Sequence, residues 1–127
     1  MKVLVVDDAS TIRRIMVNCF AKMKVTDVVQ ACDGVEALAV LAKQGPFDLI
    51  LTDWNMPNMN GIDLLKAIKA DPKISSVPVI VVTSEAEKEY IVEAVKSGAA
   101  NYIVKPFSPE TLYEKIKALA PVSNPVG

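Results

Sequence analysis

Five polar residues each close a short, mostly apolar run: Asp7 and Asp8 behind residues 2–6, Asp53 behind 48–52, Thr83 behind 79–82 and Lys105 behind 101–104. Brought together, they would offer three carboxylates, a hydroxyl and one fixed positive charge. Carboxylates that close cannot all ionise freely, so either a pKa rises or a cation neutralises them. The chain has no histidine, and oxygen-only ligands favour Mg²⁺ or a similar hard ion. A metal and a lysine together suit the dispersed negative charge of a transferring phosphoryl group. A carboxylate can then be the nucleophile, giving an aspartyl phosphate. Asp53 fits that part, because its run is the most central. Asp7 and Asp8 fit as metal ligands beside it.

The elements that must position these residues follow from hydrophobic pattern and punctuation. Residues 2–6, 27–31, 48–52, 79–82 and 101–104 predict strands. Ser10 can cap a helix with Ile12, Met16, Cys19, Phe20 and Met23 on one face. Asp33 and Glu36 form a capping-box pattern for a second helix that runs to about Gln44 and is stopped by Gly45-Pro46. Asn60 can cap a third, with Leu64, Leu65 and Ile68 inward, ending before Asp71-Pro72. Ser84-Glu85-Ala86-Glu87 reads as another capping box, opening a fourth helix that ends at Gly98. Ser108-Pro109 opens the last, with Leu112, Ile116 and Leu119 on one face.

Alternating strands and helices predict an α/β fold, a flavodoxin-like (βα)5 doubly wound parallel sheet. Strands one, three and four are almost purely apolar, as expected where both faces are covered. Gln30 in strand two, and Asn101 and Tyr102 in strand five, mark edges; the expected order is therefore 2-1-3-4-5. Right-handed crossovers then put all strand C-termini on one edge, with the switch-point crevice between strands one and three. Residues 1–120 are expected to form one domain, and 121–127, with two prolines and no apolar periodicity, a flexible tail.

Composition excludes several classes. A net charge of −1, from 14 basic and 15 acidic residues, gives no electrostatic case for nucleic acid. A hydrophobic content of 51% argues against a disordered chain. The N-terminal apolar run breaks at Asp7-Asp8, too early for a signal peptide or a membrane span, so a cytoplasmic protein is the expectation. Cys19 and Cys32 match no paired metal spacing. No G-x-x-x-x-G-K-[ST] motif or glycine-rich loop follows strand one, which disfavours nucleotide binding.

The ordered set Asp7-Asp8, Asp53, Thr83 and Lys105-Pro106 resembles the receiver domain of two-component response regulators. Thr52-Asp53-Trp54-Asn55-Met56-Pro57, Met59-Asn60-Gly61 and the stretch from Gly98-Ala99 to Phe107 look like its stand-alone chemotaxis members. The likeness covers about residues 2–120. It implies a phosphorylation-activated switch in which Asp53 accepts a phosphoryl group from a partner histidine kinase. It implies Mg²⁺ held by Asp7, Asp8, Asp53 and the backbone carbonyl of Asn55. Lys105 would contact the phosphoryl oxygens, aimed by a cis bond to Pro106. Thr83 would turn its hydroxyl toward the phosphate, Tyr102 would move inward behind it, and Asn55 and Glu85 would tune the phosphoryl lifetime. The implied target is a flagellar motor switch protein or another protein, with a phosphatase as a further partner, no nucleic acid or membrane, and a monomeric chain. Enzymatic action would be confined to its own phosphotransfer and dephosphorylation. Many receivers carry a third acid where this chain has Ala9; two still suffice.

Other assignments compete with these. Trp54 is either a packed loop anchor or a partner contact. Arg13 and Arg14 are most simply a solvated helix face. Lys88, Tyr90, Tyr113 and Lys117 are expected to be exposed on a docking surface built from residues 85–97, Tyr102 and the last helix. The same acids could belong to a receiver that works as an interaction module without phosphorylation, which the intact acid set argues against. They could also belong to a haloacid-dehalogenase-like phosphatase, but that needs a D-x-D pattern after strand one, and Asp7-Asp8-Ala9 does not supply it.

Overall fold

A computed structural model describes residues 1–84 and 88–125, with Lys88 by its backbone alone. The elements in order are β1 (Lys2–Val6), α1 (Ser10–Lys22), β2 (Asp27–Ala31), α2 (Gly34–Gln44), β3 (Leu49–Asp53), α3 (Gly61–Ala70), β4 (Val79–Thr83), α4 (Lys88–Lys96), β5 (Asn101–Val104) and α5 (Pro109–Ile116). All neighbouring strands run parallel in the order β2-β1-β3-β4-β5, as the sequence pattern predicts. Every residue of β3 and β4 is buried, whereas β2 and β5 are partly open, as edge strands are.

The two-residue period of a strand divides the core into two. Val3, Val5, Leu49, Leu51, Ile80, Val82 and Ile103 pack under α1 and α5, against Met16, Phe20, Leu112 and Ile116. Leu4, Val6, Ile50, Val79 and Val81 point the other way, toward α2, α3 and α4 through Ala37, Leu41, Leu65, Ile68 and Ala94. A slip of one residue in any strand would exchange these faces, so burial on both sides fixes the register. That register pairs Val6 with Thr52, Asp53 with Val82 and Thr83 with Val104. Asp7, Asp53, Thr83 and Lys105 therefore arrive within one residue of a common level on the same edge.

Helix starts follow side-chain chemistry, with two departures from expectation. Asp33, Asn60 and Ser108 cap α2, α3 and α5, accepting from the N–H groups of Glu36, Asp63 and Thr111. Ser10, expected to cap α1, is instead its first helical residue; Ala9 occupies the cap position without a side-chain bond. Asp7 Oδ1 accepts from the N–H of Ala9 itself at 2.9 Å and so fixes the turn just before the helix. Glu36 does not close its box on Asp33 but reaches one residue further back, to the Cys32 N–H at 3.2 Å. Of the expected Ser84–Glu87 capping box, residues 85–87 lie outside the described ones. α4 ends at Lys96, and Gly98 turns the chain at φ 103°. Beyond α5, Leu119 and Val122 pack on the first core and the Ser123 N–H donates to the Met23 carbonyl at 3.2 Å. Among the described residues no helix is long and apolar enough to cross a membrane.

Asp33 also ties α2 to the loop after β3. Its second oxygen accepts from Asn58 Nδ2 at 2.7 Å, and Asn58 holds the left-handed φ of 66° that this residue type tolerates. The Glu36 N–H bond and then the Asn58 bond hold the Asp33 carboxyl below its ordinary value of 3.8. We expect Asp33→Ala to cost about 1–2 kcal/mol in urea unfolding at neutral pH, against within about 0.5 kcal/mol for a control at the exposed Asp27. Because the folded-state pKa is depressed, the native state binds fewer protons than the unfolded one in that interval. The advantage of wild type over Asp33→Ala should therefore be complete above 3.8 and fade as pH falls through the lowered value.

Candidate functional site

Asp53 ends β3 with 8% of its surface exposed, and Asp7, one residue past β1, has 1%. Asp8 is exposed beside them, and one carboxylate oxygen from each of the three lies within 4.8 Å of the others. Lys105, one residue past β5, reaches across the sheet edge. Its Nζ stands 3.0 Å from Asp7 Oδ2 and 3.2 Å from Asp53 Oδ1. Asp53 Oδ1 also accepts from the Trp54 N–H at 2.9 Å. Asp7 is bonded on both oxygens, by Ala9 N–H and by Lys105. The Lys105 N–H donates to the Thr83 carbonyl at 2.8 Å, so the sheet ladder itself sets where the lysine leaves β5. The Lys105–Pro106 bond is cis.

Burial first, and the Asp7 charge second, push the Asp53 carboxyl above its ordinary value of 3.8; the Lys105 charge and bond and the Trp54 N–H oppose the shift without cancelling it. Burial alone would lower Lys105, but its bond to Asp7 and the charges of Asp53 and Asp7 outweigh that and raise it. The lysine is thus held protonated, and Asp53 is the group on which the crowding falls. The donor set fits a hard divalent cation: three oxygen ligands converge with one lysine for counter-charge, and no imidazole or thiolate takes part.

The loop after β3 keeps Asp53 at this point. A Cβ on Gly61 would stand 2.0 Å from the Asp53 carbonyl oxygen, so no other residue fits without moving the loop. The Gly61 N–H donates to the Trp54 carbonyl at 2.8 Å. Trp54 is only 7% exposed, and its ring meets Tyr90 of α4 edge-on, centroids 5.1 Å apart at 80°. Of its two readings, the packed anchor holds. Tyr90, expected to be exposed, is half-buried by the same contact.

The other expected residues are distributed as follows. Thr83 is buried at the end of β4, and Asn55 is exposed on the loop beside Asp53. Tyr102 is half-buried, with Lys115 Nζ 4.7 Å above its ring. Glu85 lies outside the described residues, as does the side chain of Lys88. Tyr113 is half-buried against the first core rather than exposed. Lys117 is exposed and pairs with Glu114 at 2.8 Å. Arg13 is half-buried rather than simply a solvated face: Nη1 donates to the Asp7 carbonyl at 2.5 Å and Nε to Gln30 Oε1 at 3.1 Å, bracing the end of β1 against β2. Arg14 is exposed as expected. The polar Gln30 between Val29 and Ala31 of β2 was the available signal for the Arg13 brace.

The sequence profile of the response regulator receiver domain matches residues 3–117. This chain belongs to the response regulator receiver family. Chemotaxis protein CheY-3 of Vibrio cholerae is 50% identical over 116 residues, 91% of this chain and 88% of the relative. Chemotaxis protein CheY of Pseudomonas aeruginosa is 47% identical over 119 residues, 94% of this chain and 95% of the relative. The solved structure of chemotaxis response regulator CheY4 of Vibrio cholerae superposes with a TM-score of 0.84 at 36% identity, covering 94% of this chain and 98% of that one. The receiver fold and its place as a signalling switch are thereby shown for this chain.

In this receiver, the raised pKa of Asp53 means that the native state binds more protons than the unfolded one just above the ordinary value. Stability is lost as pH rises through the raised value. A neutral isostere removes that loss, so Asp53→Asn should melt at a higher temperature than wild type at neutral pH in metal-free buffer. The difference should shrink as pH falls through the raised value and toward 3.8, as Asp53 takes up its proton. Thermal melts across that range, with Asp48→Asn as a surface control, measure it; an Asp53→Asn midpoint below wild type at neutral pH would contradict the account.

Proposed function

We propose that Asp53 is the phosphoacceptor of a two-component switch, phosphorylated by a partner histidine kinase. The observation that carries this reading is the buried, crowded Asp53 carboxylate 3.2 Å from a protonated Lys105. The oxygen of Asp53 not engaged by Lys105 and Trp54 attacks phosphorus. The P–N bond of the donor's phosphohistidine breaks, its electron pair stays on the imidazole, and an acyl phosphate forms. Lys105 supplies fixed positive charge to the phosphoryl oxygens throughout, the kind of stabilisation that dominates phosphoryl transfer. Mg²⁺, held by Asp7, Asp8, Asp53 and the backbone carbonyl of Asn55, would supply the further charge that lets the acids ionise together. The absence of histidine in this chain means that the donor must bring it.

A protein donor suits the surroundings. Beside Lys105 lies an apolar recess of about 370 Å³ lined by Ile12, Ile15, Pro106 and Phe107. Ile15 is 42% exposed there. Such a rim gains by burial against another protein and gains little from a small polar solute.

After transfer, Thr83 turns its hydroxyl to the phosphoryl group and Tyr102 moves inward, changing the face made by α4, β5 and α5. Val92 and Val95 stand exposed on α4 at 38% and 57% and are the apolar part of that face. Asn55 borders the site, and Asn55 and Glu85 tune how long the acyl phosphate lasts. The names of the relatives support a role in chemotaxis, with a flagellar motor switch protein or another protein as target and a phosphatase to end the signal. The chain works as a cytoplasmic monomer, with residues 1–120 as receiver and 121–127 as tail. Its only chemistry is its own phosphotransfer and dephosphorylation.

Incubation with labelled acetyl phosphate and Mg²⁺ should put one phosphoryl group on wild type and none on Asp53→Asn. Lys105→Met should lower the labelling rate about a hundredfold or more, the scale of losing one transition-state charge partner. Chelation of the metal should abolish labelling. Equal labelling of Asp53→Asn would refute the assignment, and a wild type that never labels would favour the phosphorylation-independent interaction module.

A further inference from the structure

Trp54 stands between the Asp53 carboxylate and α4, and each of its connections is specified. Its N–H donates to Asp53 Oδ1 at 2.9 Å. Its carbonyl is held by the Gly61 N–H at 2.8 Å. Gly61 in turn is pressed so close to the Asp53 carbonyl that a Cβ would stand 2.0 Å from that oxygen. The backbone of Trp54 is thus fixed on both sides, and the ring is buried in the core under α2, α3 and α4. That ring ends on Tyr90, edge to face at 80°. Edge-on aromatic pairs have a directional preference beyond area burial, so they resist rotation.

We propose that Tyr90 is a positioning residue for the phosphoacceptor. Its contact with Trp54 holds the unmodified arrangement of Asp53 and couples that carboxylate to α4 by a route separate from Thr83 and Tyr102. The inference rests on Asp53 being phosphorylated. In the ionised carboxylate, Oδ1 carries part of the negative charge, and the Trp54 N–H makes a charge-assisted bond to it. When a P–O bond forms on the other oxygen and the donor's P–N bond breaks, Oδ1 becomes the neutral carbonyl oxygen of an acyl phosphate. It is then a weaker acceptor. Lys105, which also approaches Oδ1 at 3.2 Å, is drawn to the phosphoryl oxygens in the same step. Trp54 loses the partner that aligned it, and the Tyr90 edge contact sets how far the loop can answer. A contact that differs between two states shifts their balance, and the coupling is reciprocal. Removing the Tyr90 ring should therefore ease occupation of Asp53 by a phosphoryl-like group.

The test uses Mg²⁺ with beryllofluoride, an anion that takes the place of the phosphoryl group, titrated into wild type, Tyr90→Phe, Tyr90→Leu and Tyr90→Ala. Binding is read by fluorine NMR, because indole fluorescence would respond to the substitutions themselves. Tyr90→Phe keeps the ring and should bind within about twofold of wild type, while Tyr90→Leu and Tyr90→Ala should bind about three- to tenfold tighter. In metal-free protein, hydrogen exchange at the Trp54 amide should quicken by a similar factor in the latter two and not in Tyr90→Phe. If Tyr90→Ala does not fold, Tyr90→Leu carries the comparison. Equal or weaker binding in the ring-less variants, or unchanged Trp54 exchange, overturns the inference. A wild type that takes up no beryllofluoride overturns the phosphoacceptor reading instead, and the exchange data still judge the Tyr90 contact.

Discussion

One lysine makes the acidic edge of this sheet tenable. Asp7 and Asp53 are buried side by side with Asp8 at their flank, and Lys105 Nζ lies within 3.2 Å of both buried acids. Like charges at that range oppose each other strongly where water is excluded. Removing the Lys105 charge would leave the buried Asp7 and Asp53 carboxylates without the cation that contacts both, which costs far more than the pair contributes when intact. Much else in the fold serves this contact. The lysine comes from β5, at the edge of the sheet, and must cross above β4 to reach β3 and β1. It can do so only if β4 and β5 end on the same level, which the Thr83–Val104 register and the Lys105 N–H bond to the Thr83 carbonyl provide.

The second constraint is steric. Asp53 must sit at the mouth of a loop that then turns into α3 almost at once. Gly61 lets the start of α3 pass over the Asp53 carbonyl, while Asn60 caps that helix and Asn58 returns the loop to Asp33. Capping, turn chemistry and charge placement thus meet in residues 53–61. A change made for one of them disturbs the others, as expected where local choices all serve one geometry.

These causes explain what could be read from the chain and what could not. Strands β1, β3 and β4 were legible because burial on both faces leaves continuous apolar runs, and Gln30, Asn101 and Tyr102 gave the edges away. The site was legible because five polar residues follow those runs directly. Ser10 was misread because its type suits a cap, whereas the chain turns helical one residue earlier and leaves Ala9 at the cap position. Arg13 was misread for a similar reason: an arginine in the first turn of a helix looks solvated until β2 is placed beside it. Tyr90 was assigned to the surface, since its partner Trp54 is 36 positions away and no spacing rule links them. The Arg13 and Tyr90 misses are contacts between distant parts of the chain that only the assembled fold creates.

The cation-poor, acid-rich edge also accounts for how such a small chain can act as a switch. A two-state element responds only to a ligand that treats its two states differently. Burial and Asp7 push Asp53 toward its neutral form, while the proposed phosphotransfer uses it ionised, so in that reading the unmodified state carries a penalty. Placing a phosphoryl group on Asp53 moves the negative charge outward and makes the carboxylate oxygen nearest Trp54 neutral. In that proposed state the added phosphoryl charge is met by Lys105, whose Nζ already stands 3.2 Å from Asp53. Because Lys105 leads into β5 and Trp54 meets Tyr90 of α4, a redistribution of charge at Asp53 reaches two elements at once. The surface that those elements share with α5 is therefore where a change of charge at Asp53 can alter a protein contact at least cost to the rest of the fold.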